Sequence, residues 1–403
     1  MKNLSNENLK LWNKGFVMLL ISNFLSAIGF NMIYTLIVDY TVNYLGGTLS
    51  LGGIIAGIFS ITALLIRPFS GIIADYYNKK FVCQISMFFA LLAILGYTFS
   101  PNPLILLIFR IIHGIAFSLN STTSIALVSL LIPLTQIGEG MGYFGIGQIV
   151  AQIIGPVSGE IIARYYGYKS LFLTTALINV VAQIFLMLLP YKEANVSNKK
   201  AMYINFISVK NLIETEVVFF AFIGIIFSFG NGIVGSFLKI VCDNRKIEGF
   251  SLFFSVNALV LLLTRIFIGK LIDKNLSTVI IFISLLITSV SIFTLANFSS
   301  LYTLLIAAIL KALGQSGQIA LQTECIKRVD ENKRGTASST FYMGADIGQG
   351  VGPWIGGIIS NKYGYEFTFV LTAIATLLFG FIFLLKQNFK SIISFLGRNG
   401  KVN

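Results

Sequence analysis

Four ionisable side chains stand deep inside apolar stretches of this chain: Arg110, His113, Lys311 and Asp346. A charge at the centre of a bilayer costs about 2.5 kcal/mol or more, so such residues pair with one another or serve an ion or substrate pathway. For Arg110 the functional reading is the stronger one. An imidazole titrates near neutral pH, so His113 is a candidate proton carrier, with a hydrogen-bonded helix contact as the structural alternative. Asp346 reads as a proton site, with Lys311 as its counter-ion or as an anion contact. The alternative is a Lys311–Asp346 ion pair that locks the C-terminal half. Asn31, Gln148, Gln152 and Gln315 are candidate substrate-cavity residues. Gln148 and Gln152 are four apart and share a helical face, where they either face a cavity or bridge helices. Asp39, late in the first apolar run, reads as a solvated cap residue at the outer rim.

Groups of this kind need membrane-spanning helices to hold them. Of the 403 residues 56% are hydrophobic and 11% charged, against about a quarter charged in soluble domains. At about 20 residues per crossing, twelve crossings take about 240 residues and leave about 160 for loops and tails. This excludes a soluble enzyme, a disordered chain and a disulfide scaffold, and points to an all-α polytopic membrane protein. Polar punctuation places twelve helices at 15–38, 50–73, 81–99, 102–125, 139–163, 169–190, 215–239, 250–272, 277–296, 301–324, 336–360 and 366–386. The first run is longer than the 7–15 residues of a signal-peptide core and is expected to stay as a spanning helix, with Trp12 as its interfacial anchor. The polar interval 191–214 reads as a cytoplasmic linker between six-helix halves at 1–190 and 215–403, the second ending in a short cytoplasmic tail.

Lys plus Arg number 29 against 16 Asp plus Glu, a net charge of +13. In a membrane chain such an excess collects in cytoplasmic loops, so no nucleic-acid partner is expected. On the twelve-helix topology 19 basic residues fall on one side and six on the other, which puts both termini in the cytoplasm. Cys83 and Cys325 then lie near the cytoplasmic face and Cys242 near the outer one, with no C-x-x-C spacing. With a single histidine no metal centre is expected, and no G-x-x-x-x-G-K-[ST] loop is present to cradle ATP phosphates. No cofactor is expected, no enzymatic activity is implied, and energy must come from an ion or substrate gradient.

The chain repeats itself. Arg67-x-x-x-Gly71-x-x-x-Asp75 recurs as Arg265-x-x-x-Gly269-x-x-x-Asp273, offset by 198. Gly147, Gly155-Pro156-x-x-Gly159 and Tyr166-Gly167-Tyr168 recur as Gly344, Gly352-Pro353-x-x-Gly356 and Tyr363-Gly364-Tyr365, offset by 197. A duplicated six-helix unit is a common transporter plan. Gly71, Gly155 and Gly159 are expected to let helix backbones approach, and Pro156 to bend its helix.

The segment Gly71-Ile-Ile-Ala-Asp75-Tyr76-Tyr77-Asn78-Lys79-Lys80 resembles the G-x-x-x-D-[RK]-x-x-[RK]-[RK] signature of the major facilitator superfamily, with Tyr76 and Asn78 departing from it. Arg110-x-x-x-Gly114 resembles that family's helix-four element, with His113 where Gln is common. Gly147 to Gly159 resembles the antiporter signature of its drug-efflux members, with Glu160 in place of the final Gly. The resemblance covers essentially the whole chain. It implies two pseudo-symmetric six-helix bundles that alternate between inward-open and outward-open states. The loop of Asp75, Lys79 and Lys80 would act as a gating latch, and Arg110 would be tied to proton coupling. The function implied is proton-coupled efflux of a small molecule by a monomer in the cell membrane. An importing symporter or facilitator and a non-transporting sensor or scaffold remain as alternatives. With Arg110 and Lys311 against Asp346, an anionic, zwitterionic or neutral substrate is as admissible as a lipophilic cation.

Overall fold

The computed structural model describes residues 10–133, 136–191, 213–273, 276–329 and 334–399, and the regular structure among them is helical. The side chains of Asp75, Arg265 and Asp273 and the surroundings of Gly269 lie outside what the structure describes, as does most of the expected linker.

Twelve long helices follow one another. They are α1 (Lys14–Tyr34), α2 (Leu49–Tyr76), α3 (Lys79–Thr98), α4 (Pro103–Leu131), α5 and α6 within Ile137–Leu188, α7 (Val218–Asn244), α8 (Phe250–Asp273), α9 (Ser277–Asn297), α10 (Leu301–Lys327), α11 (Arg334–Tyr363) and α12 (Tyr365–Asn399). The stretch Ile137–Leu188 turns at Gly167, whose φ of 80° and ψ of 167° divide it into α5 (137–166) and α6 (168–188). Gly364, its repeat partner between α11 and α12, also has a positive φ of 85°. The duplication is therefore written in the backbone, because only glycine enters that region without strain.

Local chemistry explains where helices begin. Asn13, Thr48, Asn78 and Asn102 each accept a hydrogen bond from the backbone N–H three residues on, capping α1 to α4. Asn78, one of the two departures from the signature that this segment resembles, is thus the residue that starts α3. Ser300 and Thr303 form a reciprocal capping box at α10.

Several expected ends shift. The first helix stops at Tyr34, and a short helical turn Ile37–Asp39 and a π-helix Tyr40–Tyr44 follow. The fourth runs on to Leu131 through a polar Asn120–Ser124 stretch whose Ser121 and Ser124 hydroxyls are hydrogen-bonded. The twelfth runs on to Asn399.

Nine helical stretches among the described residues are long and apolar enough to cross a membrane, and one of them, Glu139–Leu188, contains both α5 and α6. The other two helices are α8, apolar over Phe250–Thr264 within its described side chains, and α11, rich in glycine and small polar residues. Large apolar side chains such as Phe88, Leu177, Val290 and Ile374 stay on the surface, as expected where lipid is the solvent.

The chain divides into two compact units. One takes in α1–α6 with Gly235–Ile240 and Pro353–Ile358, the other the remainder of α7–α12. The first has a core of Phe16, Leu19, Met87, Leu127 and Leu186. The second has one of Phe227, Leu285, Leu321, Phe341 and Phe383. Within each, a glycine face lets two helices touch at the backbone. A Cβ on Gly159 of α5 would sit 2.7 Å from the Met32 carbonyl of α1, and one on Gly352 of α11 would sit 2.5 Å from the Phe229 carbonyl of α7.

Candidate functional site

In the first unit the candidate site is built where α4 meets α2. A Cβ on Gly114 would lie 2.6 Å from the Phe59 carbonyl, so only glycine allows this approach. One turn earlier, Arg110 finds the carbonyls of α2 within reach. Its Nε donates to Ile55 O at 3.1 Å and its Nη2 to Ala56 O at 3.3 Å. Its Cζ stands 4.6 Å from the centre of the Phe59 ring, a cation over a π face. The side chain is 1% exposed. Its charge is met by carbonyl dipoles and a ring. The spacing of Arg110 to Gly114 thus has a direct physical cause.

His113 is 6% exposed, and its Nδ1 is 2.8 Å from the Tyr97 hydroxyl of α3. Its ring meets Phe59 edge-on at 5.2 Å. This is the geometry of a helix contact. Phe30 of α1 stacks on Tyr34 and on Phe117 of α4 at 5.6 and 5.3 Å. Together these rings form an aromatic wall that the sequence reading left unassigned.

The amides divide. Gln148 of α5 donates to Asn23 of α1 and so bridges helices, whereas Gln152, one turn on, is exposed. Asn31 turns its amide back to Ala27 O of its own helix at 2.8 Å. Its Cβ is the atom that a Cβ on Gly155 would strike, at 2.6 Å. Gly147 is looser, with Phe24 at 3.8 Å as its nearest neighbour. Pro156 lies inside α5 and Pro353 inside α11, and Gly356 is buried.

One expectation fails in this unit. Asp39 is buried at 6% exposure and accepts from the Tyr168 hydroxyl and from Asn43 Nδ2, the latter at 2.6 Å. It is a bonded group, because the chain continues helically past Tyr34 and carries Asp39 beside the packed rings of Tyr40, Tyr44 and Tyr168. Around Gly71, expected to admit a neighbouring helix, no atom of the described residues lies within 4 Å of a Cβ position. In the same motif Lys80 Nζ donates to Met187 O and Leu189 O, both at 2.8 Å, tying the start of α3 to the end of α6. Arg67 and Lys79 are partly buried near the ends of their helices.

In the second unit Lys311 of α10 is 5% exposed and donates to Asn231 Oδ1 of α7. The ion pair with Asp346 weighed from the sequence is not the contact that holds the ammonium. Gln315, one turn on, donates to the same oxygen at 3.4 Å, while its own Oε1 is buried with no hydrogen-bond partner among the described residues. Gln318 Nε2 donates to Ser228 Oγ at 3.1 Å. Asp346 is partly buried on α11. Asn231 was missed by the sequence reading, although an amide between Gly230 and Gly232 in an apolar helix is a signal of its own.

Comparison with known proteins covers nearly the whole chain. A family model for the Major Facilitator Superfamily matches residues 19–277 and 220–392. An uncharacterised MFS-type transporter of Methanocaldococcus jannaschii is 26% identical over 385 residues, which is 93% of this chain and 98% of that protein. Multidrug resistance protein MdtG of Salmonella choleraesuis is 24% identical over 382 residues, covering 90% of this chain and 92% of that protein. Among solved structures, the nucleoside transporter NupG superposes with a TM-score of 0.77 at 15% identity, over 92% of this chain and 98% of that one. A POT family transporter in complex with a thioalcohol-conjugated peptide gives 0.77 at 13% identity, over 93% and 96%.

Proposed function

The chain belongs to the major facilitator superfamily, and from that membership we propose that it is a proton-coupled exporter of a small molecule working by alternating access. It is a multi-pass membrane transporter, and its fold is that of the family. The observation that carries the functional reading is the retention of a cation within the apolar helices of each half, Arg110 at 1% and Lys311 at 5% exposure. A scaffold has little reason to keep a costly buried cation in both halves.

Export is favoured over import by the likeness to multidrug resistance protein MdtG and by the efflux-like signature of α5, whose Gly155 and Gly159 seat closely on α1. In the proposed cycle Asp346 takes up a proton from outside and releases it inside as the two halves alternate around the substrate. Arg110 supplies fixed positive charge, and the loop of Asp75, Lys79 and Lys80 biases the equilibrium between states. His113 is a packing residue in this scheme. The halves divide at 191–214, both termini are cytoplasmic, and the monomer is the working unit.

The test is an everted-vesicle assay that scans small molecules while reading proton movement. Substrate-dependent proton efflux from acidified vesicles, together with substrate accumulation inside them, is the expected result. Proton-driven flux in the opposite sense would mean import, and flux without proton movement would mean facilitation.

A further inference from the structure

Lys311 has an unusual environment for a buried cation. Its hydrogen bond runs to Asn231 Oδ1, the oxygen of a neutral amide. Buried ammonium groups are normally compensated by an opposite charge. An ammonium has three donors, and one amide oxygen shared with Gln315 satisfies few of them. Gln315 lies four residues further along α10 and so on the same helical face. The orientation of its amide is fixed, since turning it over would set its oxygen against Asn231 Oδ1, which its Nε2 approaches at 3.4 Å. That orientation leaves Gln315 Oε1 buried and without a partner, an arrangement that costs free energy unless something donates to it. Among the described residues the cluster thus lacks two things at once, an anion beside Lys311 and a hydrogen-bond donor one helical turn away.

We propose that Lys311, Asn231 and Gln315 form a binding site for an organic acid whose carboxylate, or comparable oxyanion, engages Lys311 while a hydroxyl or N–H group about 5–6 Å away donates to Gln315 Oε1. This rests on the transport reading and narrows it to a substrate class, acidic compounds that also carry a donor. It also explains why a cation is tolerated here within the membrane. The substrate supplies the missing charge, and lipophilic cations are repelled by the same group.

The experiment is direct binding to purified protein in nanodiscs, with a matched set of small probes: 3-hydroxybenzoate, benzoate, benzamide and benzylammonium. The expected order is 3-hydroxybenzoate tightest, benzoate weaker, and benzamide and benzylammonium without measurable binding. Lys311→Gln should weaken 3-hydroxybenzoate by about tenfold to hundredfold, the worth of one charge-assisted hydrogen bond. Asn231→Asp is the variant that protects the fold, since it gives Lys311 an internal carboxylate. It should remove binding while leaving thermal stability intact. Gln315→Met should erase the preference for 3-hydroxybenzoate over benzoate. Binding of benzylammonium or benzamide as tight as that of the acids would overturn the proposal. So would acid binding that survives both Lys311→Gln and Asn231→Asp, or no binding of either acid at millimolar concentration. Binding needs neither a gradient nor a direction, so intact acid binding with failed export would refute the export reading alone.

Discussion

The Arg110 guanidinium lies 4.6 Å over the ring of Phe59 while its Nε reaches the Ile55 carbonyl one turn earlier on the same helix. A single side chain thereby fastens α4 to α2 through two carbonyls and a ring. An ammonium cannot reproduce that fork. Arg110→Lys is expected to cut transport at least tenfold and to lower stability by about 1–3 kcal/mol, the cost of leaving buried polar groups unsatisfied. Flux in everted vesicles and thermal unfolding in detergent check the two effects, and unaltered values for both would remove Arg110 from this role.

His113 is held by Tyr97 at 2.8 Å and by the edge of Phe59, the contacts behind the packing role proposed for it. His113→Gln, which keeps a hydrogen-bonding group, should retain most transport with the same dependence on the pH gradient. Tyr97→Phe should lower stability by about 1 kcal/mol. A His113→Gln variant that still binds substrate but no longer responds to the gradient would make His113 the proton carrier instead.

The glycines of α5 should not be equivalent. A Cβ at Gly155 or Gly159 meets atoms of α1 at 2.6 or 2.7 Å, whereas at Gly147 the nearest atom is 3.8 Å away. Gly155→Ala and Gly159→Ala should each destabilise by about 1–3 kcal/mol through overpacking, and Gly147→Ala should be close to neutral. Thermal melts of the three variants decide this, and equal effects would contradict the helix contact described.

Topology needs introduced cysteines, because Cys83, Cys242 and Cys325 are all buried. Tyr302 and Tyr77 are exposed, at 81% and 61%, and lie at loops expected on opposite faces. In intact cells a membrane-impermeant thiol reagent should label Tyr302→Cys and spare Tyr77→Cys. The reverse pattern would invert the assigned orientation.

What the sequence makes legible follows from how its signals arise. Gly167 and Gly364 are readable because a left-handed turn demands glycine, and the repeat shows that demand twice. Gly155 and Gly159 are readable because backbone contact demands a missing side chain. Partners are another matter. Tyr168 is 129 residues from Asp39, and Asn231 is 80 from Lys311, and nothing local records those meetings. In a membrane helix both the lipid face and the core face are apolar, so periodicity does not say which way a side chain points. For that reason Asp39 reads as solvated when it is buried, and Gln148 and Gln152 read alike although one bridges helices and the other is exposed.

Proton exchange through Asp346 is the step on which the proposed mechanism depends most. Everted vesicles loaded with a fluorescent pH probe and acidified inside, then given a substrate identified in the scan, report it directly. The native protein should answer substrate addition with proton efflux. Asp346→Asn should bind the substrate with similar affinity yet give neither proton efflux nor gradient-driven accumulation. Full gradient-dependent accumulation by Asp346→Asn would show that the coupling proton is carried elsewhere.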